Sequence, residues 1–181
     1  MTTTESSTPS VTDDIDGGSA VRVATFLVRI GVACVWIQGA GWKAPPDFGE
    51  GANRGLYRFT RFAITDEVFA PWTWVVREVV LPNFRLFGWL VLLTEAALGA
   101  FLLLGLATRF WSIVGVMQSV AIMLTVSNGP NEFGVTYWLL IIGNLAVFAL
   151  AAGRAGGLDG VLRPIWARSS GRAAHLLRRV S

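Results

Sequence analysis

The chain has 181 residues, of which 53% are hydrophobic and only 15% charged, against the roughly 25% charged expected of a soluble domain. An ordinary soluble fold is excluded, because it would lack the polar surface to cover its core. The formal net charge of +3 is small and almost wholly arginine, with Lys43 the single lysine, so it argues for contact with a membrane surface and against nucleic-acid binding.

Cysteine and histidine are as scarce as lysine. Cys34 stands alone in an apolar run and His175 alone in a basic tail. The chain therefore forms no internal disulfide, CxxC redox pair or thiolate-held iron–sulfur cluster, and offers no evident haem site. Any redox carrier must be bound non-covalently or belong to a partner.

In chain order, residues 1–20 are rich in Ser, Thr, Asp and Gly, the composition of a disordered tail without the apolar stretch of a cleavable signal peptide. The first span, about residues 21–42, would then act as the insertion signal. It has the roughly 20 apolar residues that a helix needs to cross the hydrocarbon core. Three more spans are expected at about residues 87–107, 110–127 and 135–152, joined by tight turns at Ala107-Thr108-Arg109 and Ser127-Asn128-Gly129-Pro130-Asn131. The tight turns make neighbouring helices antiparallel. The expectation is one all-α, four-helix integral membrane domain over residues 21–160, with a basic C-terminal tail over residues 161–181.

Four spans put both termini and the second-to-third turn on one side, together with Arg22, Arg109, Arg154, Arg163, Arg168, Arg172, Arg178 and Arg179. By the positive-inside rule that side is cytoplasmic. The arginine preference fits a high-GC bacterial genome, so the bacterial plasma membrane is the expected location.

The outer loop, residues 43–86, is too long and too aromatic to be a plain linker. Trp72, Val75, Val76, Val79 and Val80 recur at the spacing of one helix face. Pro71 suits a first turn and Pro82 is expected to end the run, giving an amphipathic helix over residues 71–81 at the outer interface. Leu56, Phe59 and Phe62 alternate with Arg54, Arg58 and Arg61, which predicts a second, shorter interfacial piece. Trp72 and Trp74 are either interfacial anchors or part of a lid over a lipid-side pocket.

Within the spans, the informative residues are the polar ones. Arg29 in span one and Glu95 in span two differ in expected depth by roughly 5 to 8 Å, a gap that an arginine side chain could close. Each costs about 2.5 to 3.5 kcal/mol at the membrane centre and so should seek the other inside the bundle, with Lys43, at the outer end of span one, as the alternative partner of Glu95. Gln118 and Asn144 lie at comparable depth and could complete a polar cluster from all four helices. Alternatively, Arg29 snorkels to the headgroups, while Gln118 and Asn144 join helices by hydrogen bonds. Gly31, Gly99, Gly105, Gly115 and Gly143 mark close helix approaches, which packing alone explains.

The run Thr94-Glu95-Ala96-Ala97-Leu98-Gly99-Ala100-Phe101-Leu102-Leu103-Leu104-Gly105-Leu106-Ala107-Thr108-Arg109 resembles the signature of the DoxX/DoxD membrane proteins. In those proteins a glutamate precedes glycine, a leucine run, a second glycine and a closing Thr-Arg. Gly41-Trp42-Lys43-Ala44-Pro45-Pro46 and Gly153-Arg154-Ala155-Gly156-Gly157-Leu158-Asp159 resemble two further family segments, so the likeness extends from about Ile30 to Leu162. The long outer loop is closer to the DoxD-type form.

The resemblance implies a four-helix membrane bundle and, for some members, a subunit of thiosulfate:quinone oxidoreductase or an association with sulfur-transfer and superoxide-detoxifying enzymes. The residues it carries over are Trp42, Lys43, Glu95 and Arg109, with Gly99 and Gly105 in the motif. Two function classes follow. The chain is a quinone-interacting subunit of a membrane oxidoreductase, with Arg29, Trp42, Lys43, Glu95, Gln118 and Asn144 around the ligand and Glu95 as the candidate catalytic group. Alternatively it is a non-catalytic anchor that docks a soluble enzyme or a larger membrane complex. Membrane lipid and a protein partner, or a second copy of the chain, are the expected contacts.

Overall fold

The computed structural model describes residues 11–168, 171 and 180–181, with side chains from residue 18 onward among them. Expectations for residues 1–10, His175, Arg172, Arg178 and Arg179 lie outside the described residues. The chain is all-α, with no strand among the described residues.

Helix α1 runs from Val11–Gly41, starting ten residues before the expected Val21. A helix nucleated by its apolar span propagates at one backbone hydrogen bond per residue fixed, so its upstream end carries on past the apolar run. The segment that follows α1 holds α2 (Gly55–Thr65) and α3 (Ala70–Val75); it and its end of the bundle are labelled outer, and the opposite end inner, after the expected topology. Helices α4 (Phe84–Leu104), α5 (Thr108–Val126) and α6 (Gly134–Ala149) follow, and α7 (Leu158–Ala167) closes the series.

One feature of the outer segment departs from expectation. Pro82 does not end the 71–81 helix. A wide π stretch, Val76–Val80, followed by a tight 3-10 turn, Leu81–Asn83, carries the chain from α3 into α4. The change in winding absorbs the amide that proline lacks, so Ala70–Leu104 forms one rod of 35 residues. The Leu56/Phe59/Phe62 segment forms α2. It turns Phe62 inward and leaves Arg54, Arg58 and Arg61 exposed.

Helices α1, α4, α5 and α6 pack as a closed ring, α1 on α4, α4 on α5, α5 on α6 and α6 back on α1. The core between them is Val32, Ala33, Trp36, Leu98, Leu102, Val147 and Ala152, with Phe101 stacked on Trp111 at 4.7 Å. The outer faces are apolar as well: Leu27, Leu93, Met117 and Leu139 are all more than half exposed. A bundle apolar on both sides is built for lipid. The spans Gly18–Gly41, Ala70–Leu104 and Thr108–Val126 are long and apolar enough to cross a membrane, while the apolar Gly134–Ala149 is shorter.

Helices α2 and α3 sit over the outer end of α5. Trp72 Nε1 donates to Thr125 Oγ1 at 3.0 Å, Thr73 Oγ1 to the Ala63 carbonyl at 2.8 Å, and Asn128 Nδ2 to the Glu67 carbonyl at 2.9 Å. The Trp72 and Asn128 bonds fasten the outer segment to the ring as a cap, and the Thr73 bond ties α3 to α2.

Candidate functional site

The four-helix polar cluster expected from Arg29, Glu95, Gln118 and Asn144 is divided into three layers. At the outer layer Glu95, on α4, is 2% exposed and pairs with Lys43 just beyond α1. Lys43 Nζ donates to Glu95 Oε2 and, at 2.6 Å, to the Gly39 carbonyl. It also lies 4.5 Å from the centroid of the Trp42 ring, within cation–π range. Gln118 of α5 lies near the same carboxylate.

The close approach depends on Gly39, where a Cβ would stand 3.3 Å from Glu95 Oε2. Trp42 is 47% exposed, and its ring meets Phe59 of α2 edge-on at 5.4 Å. An ion pair therefore lies beneath an aromatic side chain that is itself half-exposed.

The middle layer is neutral. Trp36 Nε1 donates to Asn144 Oδ1 at 3.3 Å, and Asn144 Nδ2 donates to the Leu140 carbonyl at 2.8 Å. Asn144 fills the space beside Gly115, joining α1, α5 and α6.

Arg29 belongs to the inner layer. The preferred Arg29–Glu95 pair does not form. Fully buried, Arg29 donates instead from Nη1 to the carbonyls of Leu102 and Leu103 at 2.7 and 2.8 Å, and from Nη2 to Gly156 at 3.2 Å. Its guanidinium lies 5.2 Å from the centroid of the Phe26 ring. The physical reason is the end of α4. Its last carbonyls carry the negative end of the helix dipole, and the Leu102 carbonyl receives only the cap amide of Gly105 at 3.2 Å, so they accept a cation as a carboxylate would. Gly105, with φ +68°, admits the side chain: a Cβ there would meet Arg29 Nη1 and the Gly157 Cα at 2.7 Å.

Asp159, which sequence reasoning did not single out, does the complementary work. Ala107 holds the N-cap position of α5 without a side-chain acceptor of its own. Fully buried Asp159, from α7, receives the Ala107 and Thr108 amides at 2.8 and 3.0 Å and the Thr108 hydroxyl at 2.7 Å. Its own amide donates to the Gly105 carbonyl at 2.8 Å. An anion thus caps the start of α5 while a cation caps the end of α4. The available signal was a carboxylate in an otherwise apolar Gly-Leu-Asp ending.

Of the glycines, Gly99 meets Ile37, Gly105 meets Arg29 and Gly157, Gly115 meets Asn144, and Gly143 meets Val32. Gly31 is the exception. It has nothing within 4 Å, because it faces away from the neighbouring helices.

The fold and site define a membrane protein of the helix-bundle class, with one ion pair near its outer end and paired helix caps near its inner end. A family match to TQO small subunit DoxD covers residues 68–177. The chain belongs to this DoxD family. Glu95, Gly99, Gly105, Arg109 and Asp159 fall inside the matched residues, whereas Trp42 and Lys43 precede them. No curated protein and no solved structure matches the chain.

Proposed function

We propose that the chain is the membrane subunit of a quinone-linked oxidoreductase complex, with its outer ion pair as the place where the quinone head group is met. The observation that carries this reading is the Lys43–Glu95 pair beneath Trp42, in a family described as the small subunit of TQO. A quinone ring presents two carbonyl acceptors, so a site for it needs donors beside an apolar surface. An ammonium, an indole and a carboxamide supply such donors here, and the exposed face of Trp42 adjoins the lipid in which a quinone is dissolved.

When bound, the quinone would supply the two-electron chemistry. Lys43 and Trp42 would hold its oxygens by hydrogen bonds, Gln118 would steady the carboxylate, and Glu95 would take up or release a proton at Oε2. Phe59 of α2 would limit water access, as a lid. Arg29 and Asn144 are too fully engaged elsewhere to belong to this site.

The accompanying topology has four spans with α6 as the fourth, both termini cytoplasmic and the residue 43–86 segment outside, in a bacterial plasma membrane. The partner is a protein of the same redox complex.

A second reading, the non-catalytic anchor, is favoured by one observation: Lys43, Glu95 and Gly39 satisfy one another without a ligand. The complex, purified in mild detergent, separates the two readings. Glu95→Gln that folds and assembles normally, yet loses quinone-dependent turnover and co-purified quinone, supports the redox site. Unchanged turnover and quinone content would leave the anchor reading.

A further inference from the structure

The outward side of α1 carries polar groups that the bundle does not use. Thr25, Arg29, Val32, Trp36 and Lys43 turn inward. On the opposite side Leu27, Gly31, Val35, Gln38 and Trp42 recur at helical spacing, and all are exposed. Neither the Gln38 carboxamide nor the Trp42 indole N–H has a hydrogen-bond partner among the described residues.

Gln38 is also deep. Its neighbour Gly39 packs on Glu95, midway along α4, and Leu86 and Leu104 near the two ends of that helix are exposed apolar residues. Each lies about 13 Å from Glu95 along the helix at 1.5 Å per residue. A glutamine side chain is too short to reach either edge of such a belt. Its amide must find a partner in the lipid or forgo the hydrogen bonds that water would give it. Polar side chains at this depth ordinarily face the bundle interior, and one that faces outward points to a partner from outside the chain.

We propose that Gln38 is the residue on which the quinone head group docks from the lipid, one oxygen on its carboxamide and the ring one turn from Trp42, with the apolar tail along Val35, Gly31 and Leu27. The inference rests on the redox reading of the Lys43–Glu95 pair and gives it a side of entry. A carboxamide both donates and accepts, so it holds the carbonyl of a quinone and the hydroxyl of a quinol alike. Gly31, with nothing within 4 Å, leaves the strip beneath Gln38 open for the tail. A second copy of the chain, pairing through its own Gln38, would satisfy the two carboxamides and leave the Trp42 N–H without a partner.

The test uses the complex in nanodiscs, with decylubiquinone and a short-tailed menaquinone as probes, and reads dissociation constant, turnover and unfolding midpoint together. Gln38→Leu should weaken binding of whichever probe the wild type holds by about five- to tenfold, the worth of one hydrogen bond. KM should rise with kcat nearly unchanged, and the unfolding midpoint should hold or rise, because leucine suits lipid better than an unpartnered amide. Gln38→Asn keeps the carboxamide and should retain binding within about threefold. Unchanged binding in Gln38→Leu overturns the docking role alone, and Glu95→Gln still decides the redox reading. A lowered midpoint in Gln38→Leu, or loss of a dimer in native mass spectrometry with quinone held as before, assigns the carboxamide to structure or to a second copy and overturns the proposal. If the wild-type complex holds neither probe, the redox reading and this inference fall together.

Discussion

Replacing Lys43 by glutamine removes the cation beside a carboxylate that is only 2% exposed. The remaining partners of Glu95 are neutral, and breaking a buried pair by deleting one member costs about 3–5 kcal/mol. Protonation of Glu95 would relieve part of that, so Lys43→Gln should fall at the lower end, near 3 kcal/mol. Glu95→Gln should cost a similar amount, because it leaves the ammonium with Gly39 and the Trp42 ring alone. The double variant buries no lone charge, so its loss should be smaller than the sum of the singles by about 1–3 kcal/mol. Arg29→Gln is the contrasting perturbation. Its partners are the carbonyls of Leu102, Leu103 and Gly156, so combining it with Glu95→Gln should give additive losses within about 0.5 kcal/mol. Reversible unfolding in mixed micelles, followed by tryptophan fluorescence, measures all of these. Additive Lys43 and Glu95 losses, or coupled Arg29 and Glu95 losses, would refute the division of the polar residues into separate layers.

Asp159→Ala leaves the Ala107 and Thr108 amides and the Thr108 hydroxyl without their acceptor and should cost about 2–3 kcal/mol, with faster hydrogen exchange at the start of α5. Unchanged exchange there would remove Asp159 from the capping role. Gly115→Val should destabilise by about 1–3 kcal/mol through overlap with Asn144, while Gly31→Ala, in open space, should be neutral or add up to about 1 kcal/mol; equal unfolding midpoints for the two would contradict this packing. For topology, a cysteine at Gly51 in a Cys34-free variant should react with an impermeant thiol reagent applied outside intact cells. Reaction only after the membrane is broken would reverse the proposed orientation.

The apolar runs were legible because a helix in lipid satisfies its own backbone, leaving hydrophobic length as the main signal. The beginnings of α4, α5 and α6 accordingly fall within three residues of expectation. The polar network was legible only where sequence distance was short. Lys43 lies one turn beyond Gly39 and was weighed as the second choice for Glu95, whereas Arg29 was preferred on depth alone. That comparison omitted backbone carbonyls as acceptors, and the end of α4 offers two within 3 Å. Asp159 was hidden for a related reason: its role exists only after α7 folds back onto the α4–α5 turn. The expected stop at Pro82 took proline as a barrier. It underestimated how readily a π stretch and a 3-10 turn let a helix continue.

The two polar ends of the bundle answer different physical needs. At the inner end Arg29 and Asp159 satisfy backbone groups that every helix terminus leaves orphaned, so their burial is accounted for by the α4–α5 turn itself. Apolar side chains there would leave amides and carbonyls unpaired in a medium without water, at several kcal/mol per group. The outer pair has no such duty. Lys43 and Glu95 satisfy chiefly each other, and a buried pair of this kind is often matched or exceeded in stability by apolar residues of the same volume. Stability alone therefore explains the inner charges fully and the outer ones poorly. The outer charges also sit beside an exposed Trp42 and under a segment fastened separately through Trp72 and Asn128. That asymmetry is what places the proposed redox role at the outer end and leaves the inner end to hold the bundle together.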